Sequence, residues 1–150
     1  MSRKLSFDQL AAAKDHDLGV SRWLFVDQGR IDRFADVSED RQWIHVDTER
    51  AADGPFGITI SHGYLTLSLV GTLVGELLDV EPDVVLVNYG LDRVRFIAPV
   101  PAGSQLRARA RIATSEATAH GLRLVLSAHG EIDTAQNPVC VADTVVLARR

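Results

Sequence analysis

From Ser61 to Leu78 the chain reads SHGYLTLSLVGTLVGELL, with apolar side chains at 64, 65, 67, 69, 70, 73, 74, 77 and 78. At about 100° per residue these positions go nearly all the way round a helix, and a helix apolar on every side is a buried one. Its polar interruptions are small, Thr66, Ser68 and Thr72, until Glu76 near the end, where the helix would emerge into water. Beyond the helix the period falls to two. In QLRARARI, Leu106, Ala108, Ala110 and Ile112 alternate with Gln105, Arg107, Arg109 and Arg111, which predicts a strand with one wet face. Further strands are expected in LRLVLSAHGEI and PVCVADTVVLAR. VVLVNYGLDRVRF alternates too, but Asp92 and Arg93 together break its phase and predict a bulge.

Ahead of the long helix, SFDQLAAA (6–13) reads as a short helix capped by Ser6, and LGVSRWLFVD as a strand ending at Asp27. In QGRIDRFADVSED, Ile31, Phe34 and Ala35 recur at helical spacing and predict a second short helix. Turns are expected at Pro99 to Gly103, at His120 and Gly121, and at Asn137 and Pro138. One long apolar helix followed by antiparallel strands packs most economically as a curved sheet wrapped around that helix. The expected class is therefore α+β with a hot-dog arrangement, and residues 1–150 fit one domain with one core.

Composition narrows the function classes. Sixteen basic against twenty acidic side chains, scattered along the chain, leave a net charge of −4 and no footprint for nucleic acid. No apolar run reaches the roughly 18 residues of a membrane span, and the N-terminus lacks a secretory pattern. Cys140 is the single cysteine and reads as a small core residue, in keeping with a reducing, cytoplasmic setting.

Candidate chemistry gathers in DRQWIHVD, residues 40–47. Asp40 and His45 stand five apart, about 140° around a regular helix, so they cooperate only where the chain is irregular. Ile44 to Val46 read as extended, with Arg41 to Trp43 as the turn. There a carboxylate and an imidazole could share one water and pass its protons to and from a substrate. The other reading makes Asp40 a turn residue and His45 a hydrogen-bonded core residue. Asp47, ahead of TERAAD, reads as a helix N-cap. At the start of the long helix Ser61 can cap, Gly63 lets a ligand approach the backbone, and unpaired N–H groups can stabilise an oxyanion; a plain cap with close packing is equally open. Asp40, His45, Asp47 and His62 lack the spacing of a recognised metal site, so no metal is expected. ITISHG lacks the first glycine of a nucleophile elbow, and no GxGxxG is present.

Together, D40-RQWI-H45-V-D47, then AADGPFG, then I60-S-H-G63 ahead of the long helix resemble the MaoC-like dehydratases, the hot-dog family of (R)-specific enoyl-CoA hydratases. The likeness is close over residues 31–75 and weaker over NYGLDRVRFIAPVPAG. It implies reversible addition of water to a trans-2-enoyl thioester, giving the (R)-3-hydroxyacyl thioester. Asp40 and His45 would be the catalytic dyad. Ser61, His62 and Gly63 would border the oxyanion hole, with the Gly63 N–H on the thioester carbonyl, and Asn88, Tyr89 and Gly90 would contact substrate. The acyl tail would run by Tyr64 and Leu67. No cofactor is implied, since coenzyme A is part of the substrate; acyl carrier protein is a second implied carrier, and a homodimer the implied assembly. Two departures stand out: Ser61 replaces the usual Ala or Val, and Gly71 occupies a position where some hydratases carry serine. A hot-dog thioesterase and a non-catalytic acyl-thioester-binding protein are the competing functions.

Overall fold

The computed structural model describes residues 4–150. Ser6 caps α1 (Phe7–Ala12): its hydroxyl accepts the Gln9 N–H at 3.2 Å, and the Gln9 side chain accepts the Ser6 N–H at 2.9 Å. The strand expected up to Asp27 is two pieces, β1 (His16–Val20) and β2 (Leu24–Val26). Both pair with one neighbour, β4 (Ser104–Thr118), but four steps from Val20 to Leu24 answer three from Arg109 to Leu106. The surplus is taken up at Ser21, whose N–H donates to the Ala108 carbonyl and whose hydroxyl accepts the Ala108 N–H.

Asp27 caps α2 (Gln28–Ser38), accepting the Arg30 N–H at 2.8 Å, and Glu39 ends it in the left-handed region at φ 62°. Two short helices follow, α3 (Trp43–Val46) and α4 (Thr48–Ala52). The long helix α5 (Gly63–Leu77) then leads into β3 (Val85–Phe96), β4, β5 (Gly121–Ile132) and β6 (Cys140–Arg149). Every strand pairing is antiparallel, and the order across the sheet is β1, β4, β5, β6, β3, with β2 alongside β4.

The curved six-stranded sheet with α5 against its inner face is the expected α+β hot-dog fold. Leu65, Val70, Leu73 and Val74 of α5 are buried with Leu106, Ala108, Ala110 and Ile112 of β4 and Leu122, Leu124 and Leu126 of β5. The approach is close: a Cβ on Gly130 would lie 2.7 Å from a Val70 methyl. Arg107, Arg109 and Arg111 take the outer face, where Arg107 pairs with Glu131 at 2.9 Å and covers the Trp23 ring.

One expectation needs correcting and another extending. Helix α5 is not buried all round, because Tyr64, Ser68, Gly71, Thr72 and Gly75 form an exposed stripe along it. Strand β3 breaks register between Leu91 and Arg93, as the phase change predicts, and again between Asn88 and Gly90. Among the described residues it pairs only with β6, so its other side is an open edge carrying exposed Val87, Tyr89 and Leu91. Among the described residues no helix is long and apolar enough to cross a membrane.

Candidate active site

His45 sits in α3, a helical turn rather than the extended segment expected. Distant partners hold this turn: Gln28 Nε2 donates to the His45 carbonyl at 2.7 Å, and the Ile60 N–H donates to the Ile44 carbonyl at 3.0 Å. Trp43 is half-buried, stacked under the Arg50 guanidinium and packed so closely on Gly54 that a Cβ there would lie 3.0 Å from the ring. Asp47 caps α4 as its position suggests, accepting the Arg50 N–H at 3.0 Å.

The His45 ring is buried, and its Nδ1–H donates to the Ile60 carbonyl at 2.7 Å. A carbonyl oxygen only accepts, so the proton belongs on Nδ1 and the neutral ring presents its Nε2 lone pair. Burial pushes the His45 pKa below its ordinary value; the Ile60 bond opposes this, while the neighbouring His62 reinforces it. The result is an imidazole held in its basic form at neutral pH.

Asp40 lies in the irregular stretch between α2 and α3 and is exposed. One carboxylate oxygen of Asp40, one ring nitrogen of His45 and one of His62 lie within 4.8 Å of one another. Two groups that far apart fit a single water making hydrogen bonds of about 2.8 Å to each. The same three side chains fit a metal poorly. The His45 and His62 rings stack at 3.8 Å between centroids and 23° between planes. Lone pairs lie in the ring planes, so two stacked rings aim them side by side instead of at one ion about 2.1 Å from both nitrogens.

At the start of α5 the N-cap is His62, with no side-chain cap bond, rather than Ser61. Ser61 is held back by the sheet connection: its N–H donates to the Val100 carbonyl at 2.8 Å, and its hydroxyl donates to the His62 carbonyl at 3.2 Å and accepts from Thr66. The first bond of the helix runs from the Thr66 N–H to the His62 carbonyl, so the Gly63 N–H belongs to the end group that lacks an intrahelical acceptor. Gly63 also has to be small, because a Cβ there would lie 2.8 Å from the Phe96 ring.

A cavity of about 310 Å³ is lined by His45, Ser61, Gly63 and Thr66 together with Phe56, Phe96 and further apolar residues. The structure thus brings Asp40, His45, Ser61, His62 and Gly63 together. Asn88, Tyr89 and Gly90 line a separate groove of about 700 Å³, between β3 and the small-residue stripe of α5. Leu67 faces that groove, and Tyr64 is 73% exposed, so neither is on the cavity wall. Phe56, Thr66, Phe96 and Val139 take that place. Their alternation or turn context marks them as apolar or small, and nothing local marks them as a binding surface.

Residues 9–128 match the family model of the MaoC like domain. The chain belongs to the MaoC-like dehydratases, a family of hydro-lyases. It is 42% identical over 142 residues to 3-hydroxyacyl-thioester dehydratase Z of Mycobacterium tuberculosis, with 94% of each chain covered. It is 39% identical to Nodulation protein N of Rhizobium leguminosarum, covering 96% of this chain and 91% of that protein. Among solved structures, the (R)-hydratase from A. caviae involved in PHA biosynthesis superposes with a TM-score of 0.70 at 22% identity, covering 85% of this chain and 95% of that one. A monoamine oxidase regulatory protein from Archaeoglobus fulgidus gives 0.82 at 20% identity, covering 100% and 99%. At those identities the structural likeness speaks for the fold.

Proposed function

We propose that this MaoC-like dehydratase interconverts trans-2-enoyl-CoA and (R)-3-hydroxyacyl-CoA. The observation that carries the reading is a buried, neutral imidazole with one ring nitrogen within 4.8 Å of an Asp40 carboxylate oxygen, a span that one water bridges, beside an apolar cavity and a helix N-terminus. A relative named as a 3-hydroxyacyl-thioester dehydratase, 42% identical, supports the substrate class.

In the hydration direction the water rests between Asp40 and His45. Nε2 of His45 takes one of its protons as the oxygen bonds to C3 of the enoyl group. The C2–C3 π electrons move toward the thioester, and the charge arriving on the carbonyl oxygen is met by the Gly63 N–H and the positive end of α5. C2 then takes the proton from the His45 imidazolium, which the Asp40 carboxylate has stabilised meanwhile. Dehydration runs the same steps backwards. The acyl chain lies against Phe56, Thr66, Phe96 and Val139. No metal or organic cofactor enters the reading, since coenzyme A is part of the substrate, and a cytoplasmic enzyme with a reduced Cys140 is consistent with it.

Purified protein mixed with 2-butenoyl-CoA and longer enoyl-CoA esters should lower the conjugated enoyl absorbance toward its equilibrium level, and Asp40→Asn and His45→Ala should each lose about 10²- to 10⁴-fold in kcat/KM. Inactivity at every chain length, or an Asp40→Asn variant with full activity, would overturn the reading. Running the same esters on acyl carrier protein decides which carrier is preferred.

A further inference from the structure

Resting on the reading of Asp40 and His45 as the water-handling pair, we infer that His62 is the positioning residue that holds both of them in place. His62 is 2% exposed, which leaves its ring almost no surface for substrate to touch, and like Asp40 it is absent from the wall of the cavity. Its ring nevertheless meets both partners. Nε2–H donates to the backbone carbonyl of Asp40 at 2.9 Å, across 22 residues of sequence, and the ring plane stacks on His45. Phe34 of α2 also packs against the His62 ring, tilted by 58° at 4.8 Å between centroids.

The other described bonds of Asp40 are local and long: its N–H donates to Ser38 Oγ at 3.3 Å, and its carboxylate accepts the Gln42 N–H at 3.4 Å. The stretch from Glu39 to Gln42 is irregular and exposed. Among the described residues, the His62 bond is therefore the tether that ties Asp40 to the rigid start of α5, next to the Gly63 N–H. An aromatic hydrocarbon would stack on His45 equally well, and histidine here leaves its buried Nδ1 with no partner. What offsets that orphaned nitrogen is the Nε2–H donated to Asp40. A displacement near 1 Å in a catalytic group lowers rates by about 100-fold, which sets the scale of the effect.

Three variants separate donation from packing. Glutamine reaches with its amide nitrogen to about the position of Nε2, asparagine stops near Nδ1, and phenylalanine keeps the stack without a donor. With 2-butenoyl-CoA, kcat should fall by about 10- to 100-fold in His62→Asn and His62→Phe while KM stays within a few-fold, and His62→Gln should recover most of kcat. In the wild-type protein, imidazole ¹⁵N NMR should show His62 as the Nε2–H tautomer, a measurement that needs no variant to fold. An Nδ1–H tautomer, unchanged kcat in His62→Phe, or no advantage of Gln over Asn in folded proteins would overturn the inference. Asp40→Asn in the same assay keeps the two readings apart. If it is inactive while His62→Phe is not, only the positioning role fails; if it is fully active, the dyad itself fails.

Discussion

In its proposed role His45 concentrates two opposing demands in one side chain, because a base has to meet water while this ring is buried. The fold satisfies Nδ1 internally, through the Ile60 carbonyl, and so leaves the Nε2 lone pair unprotonated. Since burial lowers its pKa, the folded state prefers the neutral ring. The stability this preference contributes is complete above the ordinary histidine value of about 6.5 and is lost as the pH falls through the lower folded value. Activity should follow the same group. In the hydration direction kcat/KM should hold level through neutrality and fall on the acid side, with a midpoint below about 6.5, as read from initial rates across pH. An acid limb centred above that value would contradict a base of depressed pKa. At Gly63 the constraint is steric rather than electrostatic. Gly63→Ala sets a Cβ against the Phe96 ring, and overpacking of that kind destabilises by about 1–3 kcal/mol. Adding Phe96→Leu should recover part of the loss in a denaturant titration, since the shorter side chain gives the new methyl room. Cys140 is a contrasting case, a thiol pushed up to about 11 by burial and placed in the core instead of the site.

Short helices α3 and α4 share Asp47, the end of one and the cap of the other. Its carboxylate serves the Arg50 N–H, which distinguishes it from Asp40 seven residues earlier. Asp47→Ala should therefore lower stability by about 1 kcal/mol, visible in urea denaturation, while leaving kcat for 2-butenoyl-CoA within a few-fold of the parent. A loss of activity as deep as that of Asp40→Asn would move Asp47 into the chemistry. The same pair of elements marks where sequence reasoning works and where it stops. Asp47, Ser6, the alternation of β4 and the phase break in β3 are legible because each depends on neighbours a few residues away. The helical turn around His45 is not, because it is held by Gln28 and Ile60. The break between β1 and β2 is equally hidden, since it is a mismatch in count against β4, some 85 residues later in the chain. Asp40, His45 and Gly63 could be singled out from a spaced motif and its family resemblance, whereas Phe56 and Phe96 join the cavity only through loop placement and strand register.

At the scale of the molecule, the open edge of β3 is the feature a single chain leaves unfinished. A strand of twelve residues with Val87, Tyr89 and Leu91 exposed offers unpaired backbone along a hydrophobic edge, and proteins rarely leave such an edge bare. The neighbouring groove repeats the theme, since α5 turns Ser68, Gly71 and Gly75 toward it, side chains small enough for another backbone or helix to come close. Antiparallel pairing of β3 with β3 from a second copy would join two sheets into one and cover both grooves at once, a closed two-fold arrangement. It would also account for Asn88, Tyr89 and Gly90, which lie away from His45 within one chain but on the surface that a second copy would bring into the assembly. We therefore expect a homodimer in sedimentation at micromolar protein. Val87→Lys with Leu91→Lys puts two charges on that edge in each copy, desolvated and facing like charges if the dimer forms. The double variant should sediment as a monomer with its circular dichroism intact. If it remains dimeric, β3 is not the interface, and the exposed apolar edge must be covered in some other way.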